Sequence, residues 1–221
     1  MRAEVEVVDD PAGTVADRLV AAGGHVVLTG GSTPRKAYER AAELRHDWTG
    51  TTLWFSDERC VPPEDDKSNF RMVDEALLRT TTGAEVRRME GERGPEGAAR
   101  HYTGELGAVF AHELPEFDLM LLGMGPDAHL CSLFPNAPAL DERQAPVTGV
   151  EEAGMEPLVS RVTLTLPVVD AARELIFLVT GESKADALAR ALGDPDPSAP
   201  SSLVQNGSAK VICDAAAASR L

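Results

Sequence analysis

The sequence predicts an α/β protein with a mostly parallel sheet and helices on both faces. Two observations carry this. Short aliphatic runs alternate with helix-length amphipathic segments, the order produced when each strand is followed by a crossover helix. Several of these runs are apolar at successive positions, as strands buried on both faces are.

Taken in order, Val5–Val8 reads as a strand and Ala12–Ala22 as a helix closed by Gly23–Gly24. His25–Thr29 is a strand, Pro34–Leu44 a helix and Thr51–Phe55 a strand. Ser68 can cap a helix over Ser68–Arg79, with Phe70, Val73, Leu77 and Leu78 on one face. Pro95–His112 is a longer helix whose apolar face carries Tyr102, Leu106, Val109 and Phe110. Asp118–Leu122 is a buried strand, and Arg161–Leu166 alternates as a strand. Leu175–Thr180, Lys184–Leu192 and Lys210–Cys213 complete the pattern as strand, helix and strand. Asn136–Leu158, rich in Pro, Gly and acidic residues, reads as a loop and a candidate lid. Gly193–Ser202, rich in Pro and Asp, reads as a solvated surface connection. No internal repeat and no separating linker is visible, so residues 1–221 are expected to form one domain.

Composition narrows the function. Of 221 residues, 43% are apolar but only 5% aromatic, so the core is expected to be aliphatic. The formal net charge of −15 disfavours nucleic acid, whose phosphates want a basic surface. No apolar run approaches the ~20 residues of a membrane helix. Met1–Pro11 is charged and alternating rather than signal-like. A soluble, cytoplasmic protein is expected, as a monomer or weak dimer. Cys60, Cys131 and Cys213 are odd in number and widely spaced, which argues against a disulfide framework or a Cys-x-x-Cys zinc site. Cys131 could be a nucleophile, but a small buried apolar residue is the commoner role.

Four strand ends offer chemistry, and ligands of open α/β sheets bind at the carboxyl ends of strands. After Asp118–Leu122 come Gly123, Gly125, Asp127 and His129. Glycine permits close backbone approach to a ligand, and histidine moves protons near neutral pH. After His25–Thr29 come Gly30, Gly31, Ser32 and Thr33, with Pro34 opening a helix whose dipole would face an anion. The spacing fits neither a P-loop nor a dinucleotide fingerprint. Ordinary capping, with Thr33 at N-cap and Pro34 at N1, accounts for the same residues. After Thr51–Phe55 come Asp57, Glu58 and Arg59, of which Arg59 could grip a phosphate in bidentate fashion or simply lie in a solvated charge run. Lys184 opens a helix after Thr180–Gly181, where the dipole disfavours a cation unless an anion compensates it.

The segments TGGSTP, FSDERCVPPEDDKSNFRM, DLMLLGMGPDAHLCSLFP, RVTLTLPVVDAA and VTGESKADAL follow one another as in the 6-phosphogluconolactonases, and the chain resembles that family over nearly its whole length. The resemblance implies a Rossmann-like fold shared with sugar-phosphate isomerases. It implies hydrolysis of 6-phosphoglucono-1,5-lactone to 6-phosphogluconate, without metal or organic cofactor. His129 would be the general base and Asp127 its orienting carboxylate. Gly123 and Gly125 would border the oxyanion. Gly30, Gly31 and Ser32 would take the phosphate, with Asp57, Arg59, Arg161 and Lys184 completing the pocket. The family usually has Asp-Gly-His, where this chain has Asp127–Ala128–His129, and alanine where it has Cys131. If that position needs a positive φ, Ala128 costs on the order of 1 kcal/mol. The related glucosamine-6-phosphate deaminases carry a glutamate where Phe134 stands here. A non-catalytic sugar-phosphate sensor is the other alternative, and such proteins usually carry an added DNA-binding or partner domain.

Overall fold

The computed structural model describes residues 1–221. The elements are β1 (Glu4–Val7), α1 (Pro11–Ala21), β2 (Gly24–Leu28), α2 (Ser32–Leu44), β3 (Thr51–Phe55), β4 (Asp57–Arg59), α3 (Asn69–Ala76) and β5 (Glu85–Arg87). They continue with α4 (Pro95–Val109), β6 (Leu119–Leu122), β7 (Val147–Val150), β8 (Arg161–Leu164), α5 (Leu166–Ala171), β9 (Leu175–Val179), α6 (Ala185–Ala191) and β10 (Ala209–Cys213).

Seven strands form one wholly parallel sheet in the order β1-β10-β9-β6-β2-β3-β5. Every residue of β6 and of β9 is buried, so helices cover both faces as the uninterrupted apolar runs predict. The chain winds outward from β2 through β3 to β5, returns to the centre at β6, and winds the other way through β9 and β10. The strand order therefore reverses between β2 and β6. Their C-terminal loops diverge there and leave the crevice in which such sheets bind ligands.

A second sheet, β4-β8-β7, is antiparallel. It corrects three readings. Arg161–Leu166 is not a strand of the parallel sheet: residues 161–164 pair with β4 and β7, and Leu166 begins α5. Asp57–Arg59 is not a solvated charge run but β4, set at once after β3 with Ser56 between, and Asp57 and Glu58 are buried. The segment Asn136–Leu158 is not all loop, because it contains β7. Three- and four-residue strands such as β4, β5 and β7 carry too little periodicity to be recognised. The helix expected over Ser68–Arg79 ends at Ala76 and tightens into a 3₁₀ turn at Leu78–Thr80.

Buried polar side chains fix the backbone around the crevice. The Tyr38 hydroxyl donates to the Thr29 carbonyl and accepts from the Thr29 N–H, both at 2.9 Å, which secures the end of β2. Glu58, 3% exposed, accepts from the N–H groups of Arg59, Asn69 and Phe70 at 2.7 Å each and from Ser68 Oγ at 3.0 Å. It satisfies the open N-terminus of α3 and ties that helix to β4. Removing its carboxylate strands three N–H groups, that of Asn69 buried and those of Arg59 and Phe70 part-buried, and a buried one costs roughly 1–3 kcal/mol when unsatisfied. Glu58→Ala should therefore lose about 3 kcal/mol or more of unfolding free energy in urea titrations. An unchanged midpoint and slope would show that water replaces the carboxylate without cost.

Candidate active site

The crevice is a cavity of about 240 Å³ at the carboxyl ends of β2, β3, β6 and β9. Of the residues singled out in the sequence, Gly30, Gly31, Ser32, Asp57, Arg59, Gly123, Gly125, His129, Arg161 and Lys184 all line it. Asp127 is outside the wall, behind the histidine, with its side chain 28% exposed.

His129 Nδ1 lies 2.6 Å from Asp127 Oδ1, and the His129 N–H donates to the same oxygen at 3.2 Å. Burial alone would raise the Asp127 pKa, but the hydrogen bonds and charge of His129 outweigh it and hold the carboxyl below its ordinary value. With Nδ1 committed to a carboxylate, Nε2 is the nitrogen left for the cavity. Gly125 is needed for this pairing. A Cβ there would stand 2.1 Å from His129 Nδ1 and 2.5 Å from Asp127 Oδ1. The Gly125 N–H also donates to the His129 carbonyl at 2.9 Å, so that amide is not free to hold an oxyanion. Gly123 has open space where a side chain would be.

The loop that carries the histidine is left-handed at three non-glycine residues, Ala128 (φ 65°), Cys131 (φ 51°) and Asn136 (φ 55°). Such residues persist only where the surroundings over-determine them. Ser132, fully buried, donates from Oγ to Asp57 Oδ2 at 2.7 Å, and its N–H donates to Thr163 Oγ1 at 3.1 Å. Asp57 Oδ1 in turn accepts from Ser56 Oγ at 2.9 Å. Asp57 thus faces the cavity with both carboxylate oxygens engaged by the protein, and it braces the loop from below. Nothing in the sequence signals Ser132 or Thr163, because a lone serine or threonine has no pattern. Cys131 lines the cavity, but burial first and the Asp57 charge second push its thiol well up, which opposes a nucleophilic role.

The cations and the helix end gather on the other side. The cap of α2 is Gly31 (φ 117°), with no side-chain hydrogen bond to the first turn. The helix starts at Ser32, so Thr33 does not cap it; Thr33 Oγ1 instead meets Thr180 Oγ1 at 3.0 Å and joins the β2 and β9 loops. Lys184 stands at the N-cap of α6. Burial lowers its pKa, and Asp127 partly restores it. Arg59 and Arg161 are cross-strand partners in β4 and β8. Arg161, 4% exposed, donates to the carbonyls of Val159, Met155 and Pro157 and lies over the Phe134 ring at 5.7 Å. Its pKa is lowered by burial and then by the Arg59 charge. Arg59 donates to the Lys67 carbonyl, while its buried Nε has no partner. Two guanidinium groups thus stand side by side on the cavity, one of them with a buried donor unmatched, and such groups suit carboxylate or phosphate oxygens.

The crevice brings together an imidazole–carboxylate pair, an uncapped helix N-terminus and three cationic side chains, an arrangement typical of an enzyme of small molecules. The family described as glucosamine-6-phosphate isomerases/6-phosphogluconolactonase matches residues 5–213. The chain belongs to this family. It is 39% identical over 184 residues to the 6-phosphogluconolactonase of Treponema pallidum, covering 79% of this chain and 75% of that protein. The solved 6-phosphogluconolactonase from Trypanosoma cruzi superposes with a TM-score of 0.86 at 26% identity, over 100% of this chain and 97% of that one. A monomeric glucosamine-6-phosphate deaminase shares the fold at a TM-score of 0.85 over 100% of both chains, but at 17% identity. The sequence relatives place the chain among the lactone hydrolases of the family. No helix is long and apolar enough to cross a membrane.

Gly125→Ala should drive the His129 ring from its place. A displacement of about 1 Å costs on the order of 10²-fold in rate, which a lactonase assay of the variant would read. A variant with nearly full activity would mean that the Gly125 backbone yields instead.

Proposed function

We propose that the protein hydrolyses 6-phospho-D-glucono-1,5-lactone to 6-phospho-D-gluconate with His129 as general base. The observation that carries the reading is the 2.6 Å contact of His129 Nδ1 with Asp127, on a cavity whose far side holds cations and an open helix N-terminus. Asp127 fixes the tautomer in which Nε2 is free to accept a proton and stabilises the imidazolium that results. A water between Nε2 and the lactone carbonyl is deprotonated as it attacks, a contribution of typically ~10²–10⁴-fold. The tetrahedral intermediate carries negative charge, for which Gly123 is the backbone candidate because the Gly125 amide is engaged. Collapse of the intermediate opens the ring and returns the proton to the leaving alkoxide.

The substrate phosphate sits at the N-terminus of α2, on Gly30, Gly31 and Ser32. Lys184 stands beside it, because the Thr33–Thr180 contact brings the two loops together. Arg59 and Arg161 supply the remaining positive field. No step calls for a metal, and no group of three or more His, Cys, Asp or Glu side chains is placed to hold one. Phe134, centred 4.8 Å from the His129 ring, favours hydrolysis over the deaminase reading, since no second carboxylate stands there to relay protons.

His129→Gln should lower kcat by about 10²-fold or more while product still binds. Nearly full activity over the spontaneous background would make the histidine structural and refute the mechanism. The unphosphorylated lactone should be a poor substrate, and equal rates on both lactones would remove the phosphate site. Lys184 gives a pH signature. Its pKa lies below the ordinary 10.5, so as pH rises it loses its charge earlier than an exposed lysine would. Binding of 6-phosphogluconate, followed by calorimetry, should weaken on the alkaline side before pH reaches 10.5. Lys184→Arg, which stays charged, should flatten that limb. A parallel decline in both proteins would assign the effect to another group.

A further inference from the structure

We propose that Ser201 is a positioning residue for His129, holding the left-handed turn at Ala128 that presents the imidazole to the cavity. The inference rests on the reading of His129 as the base. Ala128 is fully buried and takes φ 65°, a conformation disfavoured for any residue with a Cβ. Its carbonyl accepts two hydrogen bonds from one residue, from the Ser201 N–H at 2.9 Å and from Ser201 Oγ at 2.8 Å. That carbonyl belongs to the peptide unit joining Ala128 to His129. The N–H of the same unit donates to Asp127 Oδ1 at 3.2 Å. The peptide plane is therefore held from both edges, by Ser201 on one and by the orienting carboxylate on the other.

Ser201 is fully buried and does not line the cavity, so it acts only through Ala128. It lies on the 3₁₀ turn Pro200–Leu203, which begins inside the segment read from sequence as a solvated connection. That reading holds for Gly193–Pro197, which are exposed, and is corrected for Ala199, Pro200, Ser201 and Ser202, which are all buried. The segment is braced internally, with Ser202 Oγ accepting from the Asp196 N–H at 2.8 Å and donating to the Asp196 carbonyl at 3.1 Å. It also receives the far end of the histidine loop, where the Asn136 N–H donates to the Pro197 carbonyl at 3.0 Å. Two of the three left-handed residues of that loop are thus held by one segment, at Ala128 and at Asn136.

The test is Ser201→Ala, alone and combined with Ala128→Gly, with kcat and KM measured well below each variant's melting temperature. Ser201→Ala should lower kcat by about five- to thirtyfold, the factor by which a left-handed alanine is disfavoured. KM should stay within about twofold, because no phosphate-binding group is touched. Glycine takes a positive φ at no steric cost, so in the Ala128→Gly background the same substitution should cost less than about threefold. Loss of melting temperature with kcat unchanged would overturn the proposal, and so would equal losses of kcat in both backgrounds. His129→Gln, assayed alongside, separates the two readings. An active His129→Gln protein removes the base and the proposal with it. An inactive one beside a fully active Ser201→Ala protein removes the clamp alone.

Discussion

His129 can face the cavity only because the chain turns left-handed on both sides of it, at Ala128 and at Cys131. Neither residue favours that conformation, and together they cost about 2–4 kcal/mol. The surrounding structure offsets the cost with contacts that reach across the sequence: Ser201 to Ala128, Asp57 and Thr163 to Ser132, and Pro197 to Asn136. The buried Asp57 carboxylate is the central piece of this arrangement. Through Ser132 it joins the histidine loop to the start of β4, and Asn69 Nδ2 reaches its carbonyl at 2.9 Å from the first turn of α3. The parallel sheet sets where the crevice lies; these polar contacts set the direction in which His129 points.

The electrostatics follow a similar division. A chain of net charge −15 repels an anionic sugar phosphate at long range. For the proposed substrate attraction has to be local, and the cavity offers four sources of it: the end of α2, Lys184 before α6, Arg59 on β4 and Arg161 on β8. Much of the acidic charge is committed elsewhere, in ion pairs near the surface such as Arg87–Glu105 and Arg71–Glu75. Such pairs contribute little each. Glu58, the carboxyl beside Arg59 in sequence, is turned away into the N-terminus of α3 and leaves Arg59 Nε unmatched.

The central strands and the strand-end residues are legible in the sequence because parallel strands are buried on both faces and end in glycine turns, a pattern visible in one dimension. His129 and its Asp127 partner are two residues apart and can be paired on sight. The small antiparallel sheet is not legible. Its strands are three or four residues long, and β4 pairs with a segment about a hundred residues away. The supports of the histidine loop are equally hidden, since Ser132, Thr163 and Ser201 are ordinary polar residues until the fold brings them to a strained backbone. Gly193–Ser202 misleads because its prolines and aspartates look solvated. In the structure only its second half is a buried support, opened by the buried Pro200, while Pro195 and Pro197 are exposed and the exposed Asp196 side chain accepts from the Ser198 N–H at 2.8 Å.

The residue beside His129 sets what the proposed base can do. Phe134 packs at 4.8 Å against His129 with the rings tilted by 52° and lies 5.7 Å beneath the Arg161 guanidinium, and Gly154 packs so closely on it that a Cβ there would meet the ring at 3.0 Å. The ring fills the space between imidazole and cation with groups that neither carry nor exchange protons. A carboxylate in that place would give the site a second proton carrier within reach of the first, as aldose–ketose chemistry requires. With Phe134 there, His129 has one partner that holds it, Asp127, and one open nitrogen. In the proposed mechanism a proton accepted from water at Nε2 leaves only toward the substrate or solvent, and that single route suits addition of water to a carbonyl.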